Sequence, residues 1–296
     1  DPHRPYYFPG SGEDLSVPYD QEIAFMDGQI GRIIEFIREN GLLEKTVIAA
    51  VGDHGESLGE HGEEEHGLFL YEGAVHVPLI LSRPGRFPEG KEVESTCSLI
   101  DLFPTVLELF GRKPSDRIPG VSLVPALGSG EVNKNPIYFE TDFPLTEYGW
   151  APLRAIREED WKYICAPRPE LYNLADDPDE STNLISLRPE TADRLERELK
   201  QLEATMAEKE GVPVSLDETS RRTLESLGYL GAGGAERKDT GSLRDPKDAI
   251  GMRKEFIAAV EDYQRGRPAE AEKKLKELVR KSPESYTFRY KLAKIY

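Results

Sequence analysis

Only two of the 296 residues are cysteine, Cys97 and Cys165, too few and too far apart for a disulfide framework or a cysteine metal knuckle. Two buried free thiols are expected instead. Nowhere does an apolar run approach the ~18–20 residues of a membrane-spanning helix, and no charged-then-apolar leader opens the chain. Positive charge is scarce too: 38 Lys and Arg stand against 55 Asp and Glu, for a formal net charge of −17. That balance removes the basic stripe on which phosphate-backbone binding depends, so nucleic acid is not an expected partner. An anionic small molecule must be captured locally, by a metal ion or by a few basic side chains. The chain opens on Asp1 rather than Met, inside what reads as a motif. The expectation is therefore that residues precede it, and its lack of a leader leaves the compartment open.

What is present suits a folded, surface-rich protein, with 38% hydrophobic and 31% charged residues over a length that can bury a substantial core. Between residues 19 and 40, Ile23, Met26, Ile30, Ile33, Ile34 and Ile37 recur at three- and four-residue steps, the stripe of an amphipathic helix closed by Gly41. Thr46 to Val51 is a short β-branched run that reads as a strand buried on both faces. Val77 to Leu81 reads as another core strand, and residues 98–110 as a helix with Pro104 in its first turn. Open α/β sheets place ligands beyond the carboxyl ends of their strands, and Gly52-Asp53-His54 follows Val51 directly.

Downstream the pattern changes. Residues 136–140, 153–164 and 170–174 read as short antiparallel strands, with Glu158-Glu159-Asp160 as a turn, and residues 189–210 as one covering helix with Leu195, Leu199 and Leu202 inward. A glycine-rich, charged stretch then forms a candidate linker. Beyond it, residues 248–265, 268–281 and 284–296 read as three helices joined by Gly266 and Ser282-Pro283, which resembles one and a half tetratricopeptide repeats. The expected organisation is 1–130 for an α/β core, 131–212 for a small α+β subdomain, 213–246 for a linker and 247–296 for a partial, all-α repeat-like tail.

Four of the five histidines, His54, His61, His66 and His76, fall in one stretch with Asp53, Glu56, Glu60 and the Glu63-Glu64-Glu65 run. A carboxylate beside an imidazole at the end of a strand offers a hard oxygen and a borderline nitrogen to a divalent cation. Gly52 and Gly55 let the backbone approach and turn. For Asp53 and His54 the functional reading is preferred over a polar loop; for Glu63 to Glu65 the solvated acidic loop is preferred. His61 reads as a hydrogen-bonded structural residue, His76 as the entry to the second strand, and Glu56 as a group that orients His54.

Gly52 to Gly62, then His66-Gly67, Leu70-Tyr71-Glu72 and Val77-Pro78-Leu79-Ile80 resemble the second metal-binding segment of the sulfatases, within the alkaline phosphatase superfamily. The likeness runs on through Asp101-Leu102-Phe103-Pro104-Thr105, Ile118-Pro119-Gly120-Val121, Trp161-Lys162-Tyr163, Glu170-Leu171-Tyr172 and Asp177-Pro178 to Asn183-Leu184. The resemblance implies part of an alkaline-phosphatase-like α/β core and a metal-dependent sulfuric ester hydrolase. It makes Asp53 and His54 metal ligands, with calcium the usual ion and manganese or zinc the alternatives that a nitrogen ligand admits. His66 stands where many sulfatases have a lysine on the sulfate, and His3, in His3-Arg4-Pro5-Tyr6, matches a histidine that faces the ester. Both are thereby candidate catalytic residues.

The resemblance also implies pieces not seen here. Neither cysteine fits the Cys/Ser-x-Pro-x-Arg segment from which formylglycine is made, and the tandem aspartates of the metal site precede this region in the family. The expectation is a fragment of a longer enzyme, inactive alone, whose partner is a sulfated small molecule or glycan and whose implied compartment is exported. A phosphoethanolamine transferase, phosphodiesterase or phosphonate hydrolase of the same superfamily is the alternative. A third reading, from another class, is an inactive hydrolase domain carried on repeats that bind a protein partner.

Overall fold

In the computed structural model, which describes residues 18–115, 118–128, 135–207 and 242–296, the apolar stripe of the first segment forms helix α1 (Pro18–Glu39). Gly41 ends it at φ +66°, a left-handed conformation that costs glycine little, while the Leu42 N–H donates back to the Ile37 carbonyl at 3.0 Å. Strand β1 (Ile48–Val51) pairs antiparallel with β2 (Leu79–Ser82), Val51 opposite Leu79. The chain divides into two compact units, residues 1–56 with 76–134 and residues 57–75 with 135–296. α1, β1 and β2 belong to the first.

The expectation that β1 is buried on both faces is corrected by its burial, which alternates along the strand; Ala49 and Val51 lie on an exposed face. Ile80 of β2 is 62% exposed, and Ile33 and Phe36 of α1 are 61% and 63% exposed. Among the described residues β1 has β2 as its only sheet neighbour, so the composition of a two-sided core strand is not matched by two covering layers.

The short helix α2 (Glu72–Val75) falls in the second unit, and the first resumes with a 3-10 turn over Leu99–Asp101 that leads into α3 (Leu102–Leu109) and then α4 (Val124–Gly128). Asp101 holds this region together by accepting hydrogen bonds from the Ser98 and Val121 amides, each at 2.8 Å. Gly120 must be glycine, because a Cβ there would sit 2.1 Å from the Ile100 carbonyl oxygen.

The second unit carries an antiparallel meander in the order β3 (Ile137–Thr141), β4 (Leu153–Glu158), β5 (Trp161–Cys165), β6 (Glu170–Asn173), with α5 (Phe143–Tyr148) between β3 and β4. The turn at Glu159 takes φ +53°. Side chains alternate between two cores. Ile156, Tyr163 and Leu171 face α6 (Pro189–Ala207), which buries Leu195 and Leu199 on that side.

The opposite face is covered too, which the single expected helix does not provide. Leu153, Ala155, Ile164 and Tyr172 pack there with Leu68 to Tyr71 and with α7 (Pro246–Gln264), α8 (Pro268–Lys281) and α9 (Tyr286–Ala293). Asp245 caps α7 by accepting from the Lys247 amide at 2.9 Å, and Gly266 at φ +75° turns the chain into α8. Fully buried Ala259 and Ala271 let α7 and α8 pack closely. The Trp150 indole donates to Ser282 Oγ at 3.3 Å, and Ser285 Oγ to the Glu147 carbonyl at 3.2 Å, so the last helices share the core of the sheet. None of the described helices is long and apolar enough to cross a membrane.

Period-two alternation also turns Lys162 inward. It is fully buried, with Nζ 2.9 Å from both Glu72 and Glu180, and Arg157 reaches Glu72 at 3.0 Å. Removing the ammonium would strip Glu180 of its cation and leave Glu72 with Arg157 alone. Lys162→Met is therefore expected to lower unfolding free energy by about 3–5 kcal/mol in urea titrations; a loss under about 0.5 kcal/mol would show that the network carries no such weight.

Candidate active site

At the carboxyl end of β1 the chain leaves the strand under tight constraint. The Gly52 amide donates to the Pro78 carbonyl at 3.2 Å, and a Cβ on Gly52 would meet Val77 Cβ at 3.2 Å. The close approach to Val77, rather than a left-handed turn, is what calls for glycine. Asp53 and His54 follow. The His54 amide donates to Asp53 Oδ1 at 3.0 Å, and His54 Nε2 lies 3.9 Å from Asp53 Oδ2. On the other side of the ring, Nδ1 meets the Gly55 carbonyl at 3.0 Å. A carbonyl only accepts, so that contact calls for a proton on Nδ1, and in the neutral ring the lone pair then lies on Nε2, on the side of the carboxylate.

Such a pair could offer two donors to a divalent cation. An imidazole nitrogen and a carboxylate oxygen 3.9 Å apart fall within the span of two metal–ligand bonds of ~2.0–2.6 Å each. The Asp53 side chain is 92% exposed. Among the described residues no group of three or more His, Cys, Asp or Glu could hold a metal ion. Further ligands would have to come from elsewhere. A cavity of ≈ 410 Å³ in the same unit, lined by Leu79, Leu81, Cys97, Leu123 and Leu127, touches neither residue. Cys97 and, in the second unit, Cys165 are free thiols, partly buried, and burial raises both above the ordinary thiol range.

His66 belongs to the second unit, on a loop that folds onto itself before entering the core. Ser57 N–H donates to the Glu65 carbonyl at 2.9 Å and Gly59 N–H to the Glu63 carbonyl at 2.8 Å. Gly67, at φ +94°, packs against Phe143, and its carbonyl accepts from the Thr141 hydroxyl at 2.5 Å. His66 itself is half-buried. His61 stacks on Tyr71 at 3.6 Å between ring centroids, with Nε2 at 3.1 Å from the Asp179 carbonyl, the contacts of a structural histidine. His3 lies outside the described residues.

The reading of Glu63 to Glu65 as a solvated loop is overturned for Glu63 and Glu65, while Glu64 is exposed as expected. Glu63 is 1% exposed, its carboxylate accepting from the Leu68 and Phe69 amides at 2.8 and 3.1 Å, with Arg253 of α7 at 3.3 Å. Glu65 pairs with the same guanidinium, and Lys254 stands 3.4 Å from Glu64. A run of three like charges hides this because the partners sit some 190 residues later, where no local pattern reveals them. Other motif residues prove to be internal ties as well. Tyr71 and Tyr172 donate to Glu170, and Asp177 accepts from the Ser181 and Thr182 amides, which hold its carboxyl below the usual range.

Comparison with known proteins comes to the same stretch. The family model described as Sulfatase matches residues 11–112. Arylsulfatase K of Xenopus laevis is 32% identical over 201 residues, covering 64% of this chain and 37% of that protein. A solved structure of a protein in complex with its substrate D-glucosamine-2-N,6-O-disulfate shares 27% identity at a TM-score of 0.54, covering 63% of this chain and 40% of the other. The phosphonate monoester hydrolase of Agrobacterium radiobacter shares 29% identity at a TM-score of 0.55, covering 64% and 41%. Residues 11–112 thus match the sulfatase family model, and the fold of mixed helix and sheet is similar to those of the two solved structures. It spans about a third of the length of the curated relatives it matches.

Burial raises the Glu63 carboxyl above 4.5 even though two amides and Arg253 oppose the shift. A raised folded-state value means that its contribution to stability is whole below 4.5 and declines as pH climbs through that value. Glu63→Gln removes the ionisation. Melting temperatures followed from pH 4.5 to 7 are expected to show a shallower relative decline in this variant than in the parent; parallel curves would contradict the burial-driven shift.

Proposed function

We propose that the chain is part of a metal-dependent sulfuric ester hydrolase, on the strength of the Asp53–His54 pair at the carboxyl end of β1, inside the stretch that matches the sulfatase family. Asp53 would bind a divalent cation through its carboxylate and His54 through Nε2, with the Gly55 carbonyl orienting the ring from Nδ1. When bound, the cation supplies positive charge to the anionic ester oxygens. Calcium fits the family resemblance, and manganese or zinc fit the nitrogen ligand. His66 and His3 are assigned to the anion, holding it when protonated or giving a proton to the departing alcohol oxygen. The nucleophile, a formylglycine by resemblance, and further metal ligands would come from sequence beyond this chain. The exposed apolar faces of α1 and β2 support that reading, since they are the composition of a core awaiting cover. The substrate class is a sulfated small molecule or glycan, in keeping with the disulfated glucosamine bound by one structural relative.

The likeness to a phosphonate monoester hydrolase favours one alternative, a phosphorus ester on the same scaffold. Protein binding by α7 to α9, read as tetratricopeptide-like repeats, is supported by the close-packed α7–α8 pair and the helix that follows it. Their buried sides, however, are committed to the sheet.

Two measurements test the proposal. Asp53→Asn and His54→Ala are each expected to weaken divalent cation binding in calorimetry by at least about tenfold; parent-like affinity in both would remove these residues from the metal site. The full-length protein is expected to turn over a chromogenic aryl sulfate far faster than the matched aryl phosphonate. The reverse order would select the phosphorus reading.

A further inference from the structure

Arg253 lies on α7, far in sequence from the residues matched by the sulfatase family, yet its guanidinium is inserted beneath the His66 loop. Its side chain is 7% exposed. One nitrogen faces the fully buried Glu63 carboxylate at 3.3 Å, another pairs with Glu65, and the guanidinium carbon stands 5.7 Å from the centre of the Phe143 ring. Those three partners bracket His66 along the chain. Glu65 precedes it directly, Glu63 ties down the Leu68 and Phe69 amides that follow, and Phe143 packs on Gly67. Thr141 holds the Gly67 carbonyl from β3.

We propose that Arg253 is a positioning residue for His66, its planar fork bridging Glu63 and Glu65 so that the backbone on both sides of the imidazole is held to α7. An arginine suits this task because two separate nitrogens can each meet a carboxylate in one plane, which a lysine ammonium cannot reproduce. The helical tail thereby becomes part of the scaffold of the site rather than an appendage to it. The inference rests on the reading of His66 as an anion-facing residue, and its consequence for turnover follows from geometry: a group misplaced by about 1 Å can lose on the order of 100-fold in rate.

The test uses the full-length protein with isotopically labelled histidine, the His66 ring signal being identified by its absence in His66→Gln. In Arg253→Met the His66 signal is expected to shift or broaden, and kcat to fall by about 10- to 100-fold with KM little changed. Arg253→Lys, which keeps the charge and guards against simple misfolding, is expected to recover part of kcat. The double variant Arg253→Met with Glu63→Gln relieves the buried charge but not the loss of the Glu65 link, and its kcat is expected to stay low. An unchanged His66 signal with unchanged kcat in Arg253→Met would overturn the proposal. So would recovery of parental kcat in the double variant, because Arg253 would then be a counter-charge only. Parental turnover by His66→Gln would instead sink the assignment of His66 to the anion, while the ring signal still decides whether Arg253 holds it.

Discussion

A lysine with no exposed surface, held between Glu72 and Glu180, obliges the second unit to close around it. The cost of burying one ammonium and two carboxylates is offset only if all three stay in place, so the segment ending at Glu72, the strand carrying Lys162 and the turn at Glu180 must come together as one. The Glu63–Arg253 pair repeats this logic a few residues upstream and extends it to α7. Between these ties runs Leu68 to Tyr71, a buried stretch of the unit, with His66 two residues before it. Placement of His66 is therefore a property of the whole unit and not of its loop.

The same principle explains which parts of the fold were legible in the sequence. The stripe of Ile23 to Ile37, the alternation through the meander and the Leu195–Leu199 line each state their own element, because local periodicity and burial agree there. Gly41, Gly266 and the turn at Glu159 mark their boundaries for stereochemical reasons that operate within a few residues. Thr46 to Val51 misleads because an apolar run reports what a strand is suited to be covered by, whereas its exposure depends on neighbours supplied elsewhere in the chain. The second covering layer of the sheet escapes notice for a related reason, since a tail that reads as a repeat gives no sign of where its inner side will dock.

At the candidate site, Asp53 and His54 stand out in sequence because a carboxylate–imidazole pair after a strand is chemically unusual, and the structure adds the proton assignment through Gly55. Glu63 and Lys162 do not stand out. Charged residues inside a motif invite a catalytic or a solvated reading, and only the distant partner reveals a buried tie. Motif strength here reports structural demand as much as chemistry. Glu72, Lys162, Glu170 and Asp177 all sit in the stretches that carry the family likeness, and each is occupied in holding the subdomain together.

If buried ion pairs make the His66 loop and the α7 helix one cooperative body, their backbone amides must open together. Native-state hydrogen exchange reads this directly through the Leu68 and Phe69 amides, which donate to Glu63, and the Ala259 amide inside α7. A common opening free energy is expected for all three. Exchange at Leu68 and Phe69 that is orders of magnitude faster than at Ala259 would show a loop that moves independently, and would contradict it.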